Sequence, residues 1–310
     1  MRIILIGSSG YVGSAFMRLY ESRGIPAVPV SVFGLTLEGI RAKFAEVGVG
    51  LGDFVINCAG YTGKPNVDAC EDDKAACLDA NSVLPGRLRI ICAEFGVPWG
   101  HVSSGCIFTG ERPGGGGFRE DDPPNFSFRQ NNCSFYSGTK ALGEETLGWR
   151  EVRKADGSVK WEHEGDPGFY VWRLRIPFEG VPGPRNFLTK LLTYKRLLDA
   201  RNSLSSLGDF VAACHSCWER RVPFGIYNVT NPGAITTREV VDYIRRSSVG
   251  KGRTFDFFDD EAEFMRIAAR TPRSNTVLDT TKLASVGISM PSVETALDGA
   301  LREYARRIGL

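Results

Sequence analysis

The sequence predicts an α/β fold, a doubly wound parallel sheet carrying a smaller C-terminal lobe. Three observations predict it. The chain opens on an apolar run, Arg2-Ile3-Ile4-Leu5-Ile6, that leads directly into Gly7-Ser8-Ser9-Gly10-Tyr11-Val12-Gly13. Short apolar runs then alternate with helix-length segments through the first half, the pattern of a parallel sheet with helices on both faces. Finally, Gly7, Gly60, Ser104 and Arg175 all fall at or just after the carboxyl ends of such runs, where ligands bind in open α/β sheets.

Each element has its own signal. Residues 2–6 suit a buried parallel strand. The glycines that follow are spaced Gly-x-x-Gly-x-x-Gly. They let the backbone turn tightly and approach a pyrophosphate at the positive end of the next helix, expected over 14–23. A second strand is expected over 27–31 and a helix over 35–47. Phe54-Val55-Ile56-Asn57 is a third strand ending in Cys58-Ala59-Gly60. Residues 68–92 predict one long helix, 99–103 a strand ending at Ser104, 134–147 a helix and 169–174 a strand. In the second half, helices are expected over 186–200, 204–221, 237–247 and 292–307, with Gly225-Ile226-Tyr227-Asn228-Val229 returning to the sheet. The division expected is a nucleotide-binding Rossmann domain over 1–182, rejoined by 203–232. A substrate lobe takes 183–202 and 233–290, and a final helix takes 291–310. Gly114-Gly115-Gly116-Gly117 predicts a mobile loop. Residues 149–163 alternate around Asp156-Gly157, which predicts a surface hairpin, with an oligomer contact as the sharper alternative.

Whole-chain numbers bound the function. The 310 residues can bury a large core, and 42% hydrophobic with 24% charged residues is ordinary for a globular protein. A formal net charge of +2 gives no case for nucleic acid or a membrane surface. No apolar run reaches transmembrane length, and the start lacks signal-peptide features. The eight cysteines are scattered, so reduced thiols in a cytoplasmic protein are the expectation. Cys214 and Cys217 flank His215, but a structural zinc site needs a second ligand pair that the sequence lacks; no metal is expected.

The chemistry is carried by Tyr136 and Lys140, downstream of Ser104. A lysine one helical turn from a tyrosine shares its face, and its charge favours the phenolate. A serine hydroxyl can hold the carbonyl oxygen that receives the proton. Such a trio suits reduction of a ketone or oxidation of an alcohol.

Gly7 to Gly13, Ser104, Tyr136 and Lys140 resemble the extended short-chain dehydrogenase/reductases. Longer strings narrow the match. Residues 57–68 (NCAGYTGKPNVD), 105–108 (GCIF), 184–190 (PRNFLTK) and 271–279 (TPRSNTVLD) resemble the nucleotide-rhamnose synthase/epimerase-reductases, relatives of dTDP-4-dehydrorhamnose reductase. The resemblance covers about residues 2–290. It implies a nucleoside-diphosphate 4-keto-6-deoxyhexose substrate, inverted at C3 and C5 before the C4 ketone is reduced. It implies Cys106 and Lys190 as the epimerising acid and base, and Ser104, Tyr136 and Lys140 for reduction. Cofactor contacts are implied at Gly7, Ser9, Gly10, Tyr11, Val12, Gly13, Cys58, Ala59, Gly60, Thr62 and Asn81, besides Tyr136 and Lys140. Substrate contacts are implied at Asn66, Gly105, Asn186, Phe187, Arg273 and Asn275. Cys106 follows Ser104 by two residues, so an extended strand would send both side chains the same way. The segment 148–168 is longer than the close relatives imply. A homodimer is common in the superfamily.

An acid at the end of the second strand would favour NAD. Ser31 stands there, with no acid before Glu38, so NADPH is preferred and NADH use stays open. Two competing functions remain: a 4-reductase without epimerase activity, against which Cys106 and Lys190 argue, and a non-enzymatic nucleotide-binding regulatory subunit, against which the intact Tyr136 and Lys140 argue.

Overall fold

The computed structural model describes residues 2–310. In chain order the main strands are β1 (Ile3–Ile6), β2 (Ala27–Val30), β3 (Phe54–Asn57) and β4 (Trp99–Ser104). The pair β5 (Trp149–Arg153) and β6 (Val159–His163) follows, then β7 (Phe169–Leu174) and β8 (Gly225–Asn228). All of these except β5 and β6 form a six-stranded sheet, ordered β8-β7-β4-β3-β1-β2, and every pairing in it is parallel. The chain runs from β1 outward to β2, then crosses to β3 on the other side of β1. This change of direction opens a crevice beside the end of β1.

The principal helices are α1 (Tyr11–Ser22), α2 (Leu37–Val47), α3 (residues 74–94), α4 (Phe135–Thr146), α5 (Phe187–Thr193), α6 (Leu207–Glu219), α7 (Thr237–Arg246) and α8 (Val293–Arg307). Strands β1, β3, β4, β7 and β8 are buried along their whole length, which suits the apolar character of β1 and of most of β3 and β7. Ile3 and Leu5 pack with Phe16 of α1 and Phe210, Cys214 and Cys217 of α6 on one face. Ile4 and Ile6 pack with Phe44 of α2 and Leu88 of α3 on the other. The cysteines at 214 and 217 are thus core side chains on one helix face. A separate cluster joins Leu188 and Leu191 of α5, Val240 and Val241 of α7, and Leu297 and Leu301 of α8. The final helix is therefore packed into the core of the smaller lobe. No helix among the described residues is long and apolar enough to cross a membrane.

Three expectations need correction. The long helix over 68–92 begins as a 3-10 turn, Val67–Glu71, and its continuous part spans residues 74–94 with Asp79–Val83 in the wider π form. The helix over 186–200 ends at Thr193, because Tyr194 is extended (ψ 140). Arg196–Leu197 then pairs with Asp256–Phe257 as a short ladder. The 149–163 hairpin forms, with Trp149 opposite His163 and Arg153 opposite Val159, but it is no surface ornament. Trp149 and Trp161 are 5% and 2% exposed, and both belong to the core beneath β4 and β7.

Candidate active site

The turn after β1 is built so that no side chain fits. Gly7 has φ +75, and a Cβ there would stand 2.6 Å from the Ala59 nitrogen. A Cβ at Gly13 would meet the Gly7 carbonyl oxygen at 2.1 Å. These glycines bring the start of α1 against the ends of β1 and β3. No side chain caps α1 at Gly10, so its first N–H groups are left for an anionic ligand. Ser9 and Gly10 are exposed there, Tyr11 and Val12 half-buried. The cradle fits a dinucleotide pyrophosphate.

The wall after β3 is locked by amides. Asn57 Oδ1 accepts from the Ala59 N–H at 3.0 Å, and its Nδ2 meets His101 Nδ1 at 3.0 Å. Burial drives the His101 ring well below its usual pKa, with the Lys140 charge adding to the effect, so the ring is neutral. Asn81 is wholly buried. Its Oδ1 accepts from the Tyr61 N–H (2.9 Å), while its Nδ2 donates to the Tyr61 carbonyl (2.8 Å) and Thr139 Oγ1 (3.2 Å). Asn81 lies in the π segment of α3, a feature frequent at functional sites. The resemblance implied that Asn81 touches the cofactor. Its side chain fixes the loop of Gly60 and Tyr61 against α4. Cys58 and Ala59 are half-buried beside it.

Four expected residues converge at the end of β4. Ser104 ends the strand, and its Oγ accepts from the Cys106 N–H at 3.2 Å. Cys106 is not on an extended strand: Gly105–Ile107 is a 3-10 turn. The turn, rather than strand alternation, brings the thiol beside Ser104, because Gly105 packs so closely on Leu278 that a Cβ there would lie 2.6 Å from its Cδ1. That contact makes Gly105 a tight packing position. Cys106 and Tyr136 pack in one cluster beside Ser104, and Ser104 favours the ionised form of each. Burial pushes the thiol pKa up, against the lowering effects of Ser104, Arg175, Ser137 and Lys140.

Lys140 is 6% exposed and donates to the Val102 carbonyl at 3.4 Å. A Cβ on Gly60 would lie 3.4 Å from its Nζ, so the ammonium borders the loop after β3. Burial lowers the Lys140 pKa, with neighbouring thiols and Glu144 opposing. The expectation that Lys140 would depress the Tyr136 pKa is not met. Burial carries Tyr136 well above its usual value, reinforced by Cys106 and only partly offset by Ser104. A protonated phenol is the form needed to give a proton to a ketone.

The lobe residues divide. Lys190, on α5, is half-buried. Burial and then Arg185 lower its pKa, bringing it nearer the range of a usable base. Arg185 donates to Thr62 Oγ1, holding the start of α5 to the loop after β3. Phe187 is half-buried against the lobe core. Asn186, implied as a substrate contact, is held by the fold. It is wholly buried, caps α5 through the Leu188 N–H (3.0 Å) and donates to the Glu179 and Val181 carbonyls (2.7 and 2.8 Å). Arg273 is also already engaged, through a bidentate pair with Asp68 (2.6 and 2.7 Å) that clasps lobe to sheet domain. Asn66 caps the 3-10 turn through the Asp68 N–H (2.9 Å), and Asn275 Oδ1 accepts from Asn202 (3.3 Å).

Sequence patterns missed the support beneath the site. Glu144, one turn beyond Lys140, is wholly buried and accepts from Arg173 Nε (2.9 Å) and Nη2 (2.6 Å), Ser103 Oγ (2.8 Å) and Trp161 Nε1 (3.1 Å). Only the spacing of Lys140 and Glu144 hinted at a shared orientation. Ser137 and Asn202 had no local signal.

Comparison with known proteins is consistent with this geometry. The family model described as the RmlD substrate binding domain matches residues 1–154. The chain is 32% identical over 299 residues to the bifunctional dTDP-4-dehydrorhamnose 3,5-epimerase/dTDP-4-dehydrorhamnose reductase of Arabidopsis thaliana, spanning 95% of this chain and 90% of that protein. The crystal structure of the L780 UDP-rhamnose synthase from Acanthamoeba polyphaga mimivirus superposes with a TM-score of 0.83 at 23% identity, covering 98% of this chain and 99% of that one. The dTDP-4-dehydrorhamnose reductase of Bacillus anthracis, solved in complex with NADP, gives 0.75 at 17% identity, with 97% and 99% covered. The two structures show a shared fold.

Proposed function

The chain belongs to the family of nucleotide-rhamnose epimerase/reductases related to dTDP-4-dehydrorhamnose reductase, and from that premise we propose that it is a bifunctional 3,5-epimerase/4-reductase. Its substrate would be a nucleoside-diphosphate 4-keto-6-deoxyglucose, its product the NDP-L-rhamnose. The observation that carries this reading is the meeting of a thiol with the reductase pair: Cys106 packs in one cluster with Tyr136, on the turn whose Cys106 N–H donates to Ser104 Oγ. A reductase alone has no use for a thiol beside the carbonyl site.

The C4 ketone acidifies the hydrogens on both neighbouring carbons, and Ser104 and Tyr136 can hold the enolate oxygen by hydrogen bonds. Cys106 takes or gives a proton on one face of the ring, and Lys190, from the lobe, serves the other. After inversion Tyr136 gives its proton to the C4 oxygen. Lys140 borders the loop that would line the nicotinamide side. The turn at Gly7, Gly10 and Gly13 would hold the dinucleotide, which when bound supplies hydride to C4.

The decisive test is deuterium uptake from heavy water into the sugar without reduced dinucleotide. The wild type is expected to label C3 and C5. Cys106→Ser or Lys190→Ala should abolish labelling at one or both carbons while an already epimerised ketone is still reduced. Absence of label in the wild type, or normal label in both variants, would reduce the protein to a 4-reductase.

NADPH is the proposed cofactor. Ser31 follows β2 exposed, and the first acid beyond it, Glu38, lies within α2, so no carboxylate stands at the strand end to repel a 2′-phosphate. Titration of the purified protein should show tighter binding of NADPH than NADH; the reverse order would overturn this assignment. Eight free thiols fit a reducing compartment such as the cytoplasm, and a homodimer is the assembly we expect.

A further inference from the structure

Two arginines at the end of β7 stand in opposite electrostatic situations. Arg173 is wholly buried and paired with the equally buried Glu144 at 2.6 Å. Arg175 is 7% exposed, yet its partners are neutral. Nε and Nη2 donate to Asn202 Oδ1 at 3.2 and 2.7 Å, and Nη2 also donates to the Ser274 carbonyl. Among the described residues no carboxylate pairs with it, and its Nη1 makes no hydrogen bond. A buried cation without a counter-ion is costly, and such groups cluster where chemistry is done.

Position says what the charge serves. Ser104 is paired with Leu174 in the sheet, so Arg175 leaves β7 beside the turn that carries Cys106. Burial pushes the Arg175 pKa down to about 10, with anionic Cys106 and then Tyr136 opposing it. The guanidinium is held firmly. Asn202 Oδ1 also accepts from the Thr276 N–H at 2.9 Å, and Ser274 Oγ donates to the Phe108 carbonyl at 2.5 Å. The same bonds tie residues 274–276 of the lobe to the Cys106 turn. The other groups facing the thiol are Ser104 on β4, Tyr136, Ser137 and Lys140 on α4, and Cys133 just before it.

We infer that Arg175 is the built-in counter-ion of the Cys106 thiolate and thereby a positioning residue for epimerisation. This rests on the reading above, in which Cys106 exchanges the ring proton. In the step served, the thiolate forms an S–H bond with the ring hydrogen. The C–H electron pair moves into the ring carbon–carbon bond, and the carbonyl pair moves onto the C4 oxygen. Lys190 returns a proton to the opposite face as the enolate collapses. No oxidant or reductant is consumed.

The test compares wild type, Arg175→Gln and Arg175→Lys, with dinucleotide binding as the control for folding. The readout is the pH midpoint of Cys106 ionisation, taken as the ultraviolet thiolate absorbance lost in a matched Cys106→Ser partner. Arg175→Gln is expected to raise the midpoint by about one pH unit or more and to slow deuterium uptake at neutral pH by about tenfold. Arg175→Lys, which keeps the charge, should stay near the wild type. An unchanged midpoint in a folded Arg175→Gln protein overturns the inference. If that variant does not bind dinucleotide, Arg175→Lys decides: a midpoint near wild type supports the inference, and a full-unit rise overturns it. The underlying reading fails separately. Wild type that takes up no deuterium removes the epimerase and with it this use of Arg175, whatever the midpoint; normal uptake with an unmoved midpoint removes Arg175 alone.

Discussion

Tyr136→Phe is expected to bind the dinucleotide as the wild type does and to lose ketone reduction by about a hundredfold or more, the usual scale for a general acid. The ring stays in place and only the hydroxyl is lost. Tyr136 holds its proton firmly, since burial carries its pKa well above the ordinary value. Ser104, beside the turn against which Tyr136 packs, favours the phenolate left once the proton is given. Cys106 and Lys190 keep their own hydrogens, so deuterium uptake should fall less than reduction. Single-turnover reduction of an epimerised ketone measures the effect. Turnover near that of the wild type would exclude Tyr136 as the proton donor.

Glu144→Ala is expected to destabilise the fold by about 3–5 kcal/mol, the cost of breaking a buried ion pair by removing one partner. Arg173 would keep its charge in a site with no exposure, and the donors of Ser103 and Trp161 would lose their acceptor. Arg173 lies over the Phe108 ring, 5.1 Å from its centre, which cannot replace a carboxylate. A double replacement, Glu144→Leu with Arg173→Met, should recover part of the loss because both charges go together. Chemical denaturation of the three proteins decides it. A single variant within 1 kcal/mol of wild type, about a fifth of the upper expectation, would show that the pair is not what holds α4 to the sheet. Because Glu144 sits one turn beyond Lys140, the surviving fraction should also reduce poorly.

What was legible in the sequence is what local chemistry dictates. The strands buried on both faces show as apolar runs, and the glycine turn shows because only glycine fits where a Cβ would meet the Gly7 carbonyl at 2.1 Å. The spacing of Tyr136 and Lys140 shows because a helix repeats. Misreadings occurred where distant residues decide. The π segment at Asp79–Val83 leaves the apolar pattern of α3 almost unchanged. The turn at Gly105–Ile107 depends on Leu278, remote in sequence. The strings around Asn186, Arg273 and Asn81 do not show the distant partners their side chains hold, such as the Val181 carbonyl, Asp68 and Thr139. The setting of Arg175 depends on Asn202 and Ser274, which no spacing rule connects.

The hairpin of β5 and β6 has a practical meaning for anyone labelling this protein. Its base is welded to the core by Trp149 and Trp161, whereas residues 155–158 at its tip are exposed. Lys154 closes that tip by donating its N–H to the Ser158 carbonyl (2.8 Å) and accepting from the Gly157 N–H (3.0 Å). Exposed tips of this kind tolerate insertions. An epitope or a fluorophore grafted between Asp156 and Gly157 would ride on a short arm whose root is fixed in tryptophan. The same graft placed in β6 would pull the indole N–H from Glu144, and so loosen the helix that carries Tyr136 and Lys140.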